Sequence, residues 1–181
     1  MGDSPVAANA APFFAVGRLK FVVLSLTTFN LYHLLWLYQH WRHRRDVLGE
    51  RVLPAPRSLF PWIFMLPLGY RIAKASVLSN TSGWSSALAA ATSWTLLAVG
   101  SAFLPDGPPA LLGLLPVLPG VWLQALANRV NGAIAPGHPP NERLTTTNKI
   151  VVVVVVGAIL FLLALIGLFM PTESITVHEQ F

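Results

Sequence analysis

The sequence predicts an all-α integral membrane protein: a helical bundle of about four transmembrane helices plus one amphipathic interfacial helix. Three observations carry that expectation. Hydrophobic residues make up 54% of the 181 residues and charged ones only 10%, against roughly 25% charged in soluble domains. The mean hydropathy is +0.61, more apolar side chain than a water-soluble fold of this length covers. The third observation is the stretch Lys20–Arg45, KFVVLSLTTFNLYHLLWLYQHWRHRR. Its apolar run takes on Tyr32, Trp36, Tyr38 and Trp41 and stops at Arg42, Arg44 and Arg45, the pattern of a helix leaving a bilayer toward the cytoplasm.

Charge and cysteine content narrow the function classes. The formal net charge is +5, yet the bases sit in segments that flank apolar runs, which favours the bilayer and anionic headgroups over nucleic acid. The absence of cysteine excludes disulfides, thiolate metal sites and cysteine nucleophiles. MGDSPVAANAAPFFAVG has no basic n-region ahead of a short apolar core, so no cleaved signal peptide is expected.

In chain order, residues 1–17 are small, polar and proline-containing and read as a disordered tail, with Phe13 and Phe14 available to the interface. A single membrane domain is expected over 18–170. Its first span, 21–41, is 21 residues, or ~31 Å as a helix. Ser25, Thr27, Thr28, Asn30 and His33 fall in its middle. Ser and Thr bond back to helix carbonyls at little cost in lipid, but Asn30 must face another helix or a kink. One kinked span is the first reading. The alternative is a broken hairpin that turns at Asn30 and brings Arg18 and Lys20 beside Arg42–Arg45.

Residues 42–58 hold five arginines and two acids and read as a cytoplasmic connector. The apolar part of 59–79 covers 12 residues before Arg71 and Lys74. It also carries Pro61 and Pro67, so it reads as amphipathic and interfacial. Further spans are expected at 87–104, rich in Ala, Ser and Gly for close helix contact, at 110–127, broken by Pro116 and Pro119, and at 150–170. Thr145–Asn148 offers N-caps for the last, and 171–181 is a tail. Placing 42–86 and 128–149 inside puts ten of the 12 Lys and Arg residues in the cytoplasm and both termini outside.

KFVVLSLTTFNLYHLLWLYQHWR resembles the signature of an uncharacterised family of small bacterial inner-membrane proteins, K-L-x-x-L-S-x-x-T-x-G-x-Y-x-x-x-W-x-Y-x-x-W. Lys20, Leu24, Ser25, Thr28, Tyr32, Trp36, Tyr38 and Trp41 match it, while Asn30 stands where the family has Gly. The segment around Asn128, Asn131, Pro136 and Asn141 is similar to the family's later asparagine-rich loop. The resemblance implies a multi-pass protein of the bacterial inner membrane and transfers no activity.

Candidate chemistry is sparse. His33, Trp36, His40 and His43 share one helical face, which invites a metal or haem reading. His40 and His43 lie among arginines, however, and no second intramembrane histidine pairs with His33. All seven acids fall in tails or loops, against what ion-coupled transport requires. Arg42, Arg44 and Arg45 with Trp36 and Trp41 are the candidate contact for anionic lipid or a partner, and Asn30, Pro116 and Pro119 the candidate packing and kink positions. No catalytic, cofactor or metal residue is assigned. The expected role is therefore an accessory or structural subunit of a larger membrane complex or a homo-oligomer. A transporter or channel lined by Asn30 and the 110–127 helix is the alternative, and lipid or haem binding at the first helix's cytoplasmic end the third reading.

Overall fold

A computed structural model describes residues 10–139 and 141–169. The regular structure of the described residues is all helical: α1 (Arg18–Thr27), α2 (Tyr32–Asp46), α3 (Pro54–Leu59), α4 (Pro61–Leu78), α5 (Trp84–Gly100), α6 (Val117–Ile134) and α7 (Thr146–Phe169), with 3₁₀ turns at Ser101–Phe103 and Pro108–Leu114. The chain divides into two compact units, Met1–Leu144 and Thr145–Phe181, where the sequence groups 18–170 as one. Three helical stretches are long and apolar enough to cross a membrane: Trp84–Phe103, Pro109–Ile134 and Thr146–Leu168. They coincide with three of the four expected spans. The fourth, 21–41, is corrected.

That stretch is two helices. Phe29 and Asn30 both adopt positive φ, at 48° and 65°, a conformation that ends a right-handed helix and that Asn tolerates best. Thr28 Oγ1 bonds back to Leu24 O and accepts the Tyr32 N–H, so the break between α1 and α2 is stitched by a side chain. The helices then fold back on one another: the Phe21 ring lies 5.8, 5.1 and 5.4 Å from the rings of Tyr32, His33 and Trp36. The turn at Asn30 that the hairpin alternative expects is present, but the bonded partners of Lys20 are Asn141 and Arg143, not the Arg42–Arg45 segment. At 10 residues, α1 rises ~15 Å, about half a bilayer.

The 59–79 segment is also corrected, from a surface-lying amphipath to a bundle member. The residue α4 tucks against α5 is Gly69, where a Cβ would run into Ala91. Around that close approach α4 buries Met65, Leu68, Ile72 and Ala73, and α5 buries Ala87, Ala90, Ala91 and Trp94. Pro67 sits inside α4 without ending it. α6 in turn meets the hairpin at Gly120, where a Cβ would come within 2.9 Å of both His33 Nε2 and Phe21 Cζ. Of the two expected breaks in 110–127, the one at Pro116 is present, between the 3₁₀ stretch Pro108–Leu114 and α6, and the one at Pro119 is not. Pro116 is the N-cap of α6 and Pro119 lies in its first turn, where a missing N–H costs nothing.

These contacts give the first unit two unlike ends. One gathers residues 11–18, the close of α2 and α4, and the loop after α6, and it holds Arg18, Lys20, Arg42–Arg45, Arg71, Lys74, Arg129 and Arg143. The other joins the hairpin turn to the 3₁₀ region, through a 2.7 Å bond from Asn30 Nδ2 to Gly113 O. There Asp106 is the one charged residue of 98–116. In the second unit, Thr145 N–H and Oγ1 bond Asn148 Oδ1 while Asn148 N–H bonds Thr145 Oγ1, a reciprocal cap that opens α7 as the sequence suggests.

Candidate functional site

The polar side chains of the hairpin and α6 converge on the N-terminal segment. Its described part, 10–17, is not a loose tail: Phe13 and Val16 are fully buried and Ala11 and Ala15 nearly so. An extended backbone laid between helices carries carbonyls with no ladder to join, and each must find a donor. Here six consecutive carbonyls do. Ala11 O receives His43 Nε2 at 2.7 Å and Pro12 O receives Arg44 Nη1 at 3.5 Å. Phe13 O receives Asn131 Nδ2 at 2.8 Å, Phe14 O Gln124 Nε2 at 3.1 Å, Ala15 O Asn141 Nδ2 at 2.9 Å and Val16 O Asn128 Nδ2 at 2.8 Å. Asn131 also accepts the Phe13 N–H at 3.0 Å, so its amide reproduces the paired bonds of a β-ladder.

Gln124 is the hub. Its Oε1 accepts from Trp36 Nε1 at 2.5 Å and lies 3.1 Å from His40 Nε2, and its Nε2 donates to Phe14 O and to Asn128 Oδ1. A side-chain amide has two acceptor and two donor positions, and this one fills all four while fully buried. The bond to His40 places that ring's proton on Nε2. Lys20, the first residue of the family-like signature, turns inward and donates to Asn141 Oδ1 at 2.9 Å and Arg143 O at 3.0 Å. Burial pushes its ammonium pKa down. The asparagine-rich segment expected as a loop is in fact the end of α6, with Asn128 and Asn131, followed by a loop with Asn141, and together they receive the N-terminal strap and Lys20.

The predicted contact group is broken up. Trp36 and Trp41 are fully buried, so neither faces headgroups: Trp36 is held by Gln124, and Trp41 packs under Arg57 and Arg71 at 4.4 and 5.3 Å from its ring centroid. Arg42 and Arg45 pair with Asp46 at 3.1 and 2.8 Å on the exposed end of α2. Arg44 turns inward, bonding Glu50 through Nε at 3.1 Å and through Nη2. Glu50 also accepts Arg71 Nη1 at 2.7 and 2.6 Å. Burial alone would raise the Glu50 carboxyl; the hydrogen bonds and charges of Arg44 and Arg71 outweigh it and hold the pKa below the ordinary range. Sequence reasoning did not place Glu50, Arg71 or Arg57 together, because they lie on three different elements.

The histidine face lies in the core: His40 and His43 each use Nε2 in a hydrogen bond, while both ring nitrogens of His33 are buried without a partner among the described residues. His33 and His40 are buried among Phe13, Phe21, Trp36 and Trp94, and His43 holds the strap. Among the described residues, no three His, Asp or Glu side chains group as a metal site. The signal that marks the real site is the spacing of Gln124, Asn128 and Asn131 at i, i+4 and i+7, one polar stripe on an otherwise apolar helix. Compared with protein-family models, curated proteins and solved structures, the chain matches none.

Proposed function

We propose that the protein is a non-catalytic, multi-pass protein of the bacterial inner membrane that serves as a structural or accessory subunit, packing on a larger membrane complex or on copies of itself. The observation that carries the reading is the outer face of α5. Its inner face of Ala87, Ala90, Ala91 and Trp94 is used against the bundle, yet Ser85, Ala89 and Thr92 form a second small-residue face that is exposed. In lipid, where helix association depends on close packing and not on hydrophobic expulsion, such a face favours another helix over acyl chains. The polar stripe of α6 supports the same reading, since Gln124, Asn128 and Asn131 are engaged with the strap and, through Gln124, with Trp36 and His40. Under the positive-inside rule the basic end lies in the cytoplasm. That places the N-terminal strap inside, and the hairpin enters and leaves on that side. The likeness of Lys20–Trp41 to the family signature is taken into this proposal on the same footing.

The cysteine-free sequence makes the test direct. Single substitutions Ala89→Cys and Thr92→Cys, oxidised in native membranes, are expected to give discrete crosslinked species, either a dimer or an adduct with a larger protein. Leu118→Cys, on the exposed face of α6, serves as the control. Absence of crosslinks at 89 and 92, together with a monomeric mass in mild detergent, would overturn the subunit reading.

A further inference from the structure

Four cationic side chains, Arg44, Arg57, Arg71 and Lys74, gather around a single carboxylate, Glu50, where α2, α3 and α4 meet. Arg44 is fully accounted for by Glu50 and Pro12 O, and its side chain is 11% exposed. Arg71 spends only Nη1 on Glu50, which leaves Nε and Nη2 without a partner among the described residues. Lys74 lies one turn further along α4, exposed, and has no hydrogen-bond or carboxylate partner among the described residues. Arg57 stacks on Trp41 and Phe64 and has no carboxylate there either. Arg44, Arg71 and Lys74 line one cleft of about 610 Å³ with Glu50. The residues offer donors and positive charge in excess of the one acceptor available. This charge sits at the edge of an apolar surface, because Trp62, Ile63, Leu66 and Val77 are exposed along the same helix.

We infer that this cleft binds the phosphate of an anionic phospholipid, with Arg71 and Lys74 taking the phosphate oxygens and the acyl chains lying along the exposed face of α4. A guanidinium and an ammonium side by side are a donor set suited to phosphate, and the apolar face selects a lipid over a free ion. The site differs from the expected one at Arg42–Arg45: two of those arginines are paired with Asp46, whereas Arg71 Nε and Nη2 and the Lys74 ammonium, the free donors of the cleft, belong to α4. The inference rests on the membrane placement proposed above, which is checked separately by whether the chain stays with membranes on alkaline carbonate extraction.

The test uses the full chain, purified in mild detergent, stripped of lipid and titrated with phosphatidylglycerol, phosphatidylcholine or inorganic phosphate while bound lipid is read by native mass spectrometry. Phosphatidylglycerol is expected to bind in preference to phosphatidylcholine. Lys74→Gln should weaken it about fivefold, the loss that follows from one base near the headgroup, and Arg42→Gln should leave it unchanged. Arg71→Gln should weaken binding further; because it also unpairs Glu50 and can impair folding, Lys74→Gln, on an exposed and unpaired side chain, is the deciding variant. Phosphatidylglycerol binding to Lys74→Gln at native strength would overturn the inference. So would millimolar inorganic phosphate displacing the lipid, which would make the site one for a free anion.

Discussion

Replacing Gln124 with Leu tests the idea that one buried amide ties the hairpin, the strap and α6 together. The change keeps side-chain size and removes both lone pairs and both donors. It strands the Trp36 and His40 N–H groups, both fully buried. An unmet buried donor costs about 1–3 kcal/mol, so the two together cost about 2–6 kcal/mol. The Leu side chain returns about 1–2 kcal/mol through its apolar burial, which, set against the middle of that range, leaves a net loss of about 2–3 kcal/mol. At about 3 °C per kcal/mol for a unit of this size, the melting temperature should fall by roughly 6–9 °C. Tryptophan fluorescence during heating in mild detergent reads it, since five of the six tryptophans lie outside the contact. A cycle with Trp36→Phe sharpens the result: the double variant should lose less than the sum of the two singles, by about 1 kcal/mol or more. A Gln124→Leu protein melting within about 2 °C of the native one, or a strictly additive cycle, would refute the reasoning.

Two further outcomes follow from the packing and the charges. Gly69→Ala drives a methyl into Ala91 at the α4–α5 contact and should cost about 1–3 kcal/mol, read as a lower melting temperature that Gly100→Ala, where no atom lies within 4 Å of the added Cβ, does not show. Glu50 is held below its ordinary pKa by Arg44 and Arg71, so it binds protons less readily folded than unfolded. Its contribution is present above the unfolded value of about 4.5 and is lost as pH falls through the lower folded value. Acidification from pH 7 toward pH 3 should therefore lower the melting temperature of the native protein more than that of Glu50→Gln; equal shifts would show that the carboxylate contributes nothing.

What the sequence made legible was whatever a run of apolar residues decides locally. The spans near 87–104 and 150–170 and the Thr145–Asn148 cap are of that kind. The hairpin was visible only as an alternative, because Asn30 signals a turn but Phe29 gives no sign that it too will take positive φ. Trp36 and Trp41 misled for a physical reason: an aromatic near arginines reads the same whether it lies at an interface or beneath guanidinium groups in a core. Pro119 misled because its effect depends on how far it stands from the helix start, which a 110–127 boundary placed too early. The strap was the least legible element. Helices grip it through its backbone, so its own side chains carry no pattern, and the information lies in Gln124, Asn128 and Asn131, more than 100 residues away.

That separation has a consequence for how the protein is made. The strap leaves the ribosome before the helices that hold it, and the groups that fix Phe13 and Ala15 lie 118 and 126 residues later. At about 5–20 residues per second, the N-terminal segment and its short hairpin wait on the order of 5–25 seconds before Asn131 and Asn141 exist. During that interval the four carbonyls of Phe13 to Val16 and the Lys20 ammonium are without their eventual partners, while His43 and Arg44 already exist to hold Ala11 and Pro12. Insertion of α6 is thus the event that closes the structure, and a nascent chain arrested before residue 131 should leave its N-terminus open to protease and dependent on the insertion machinery.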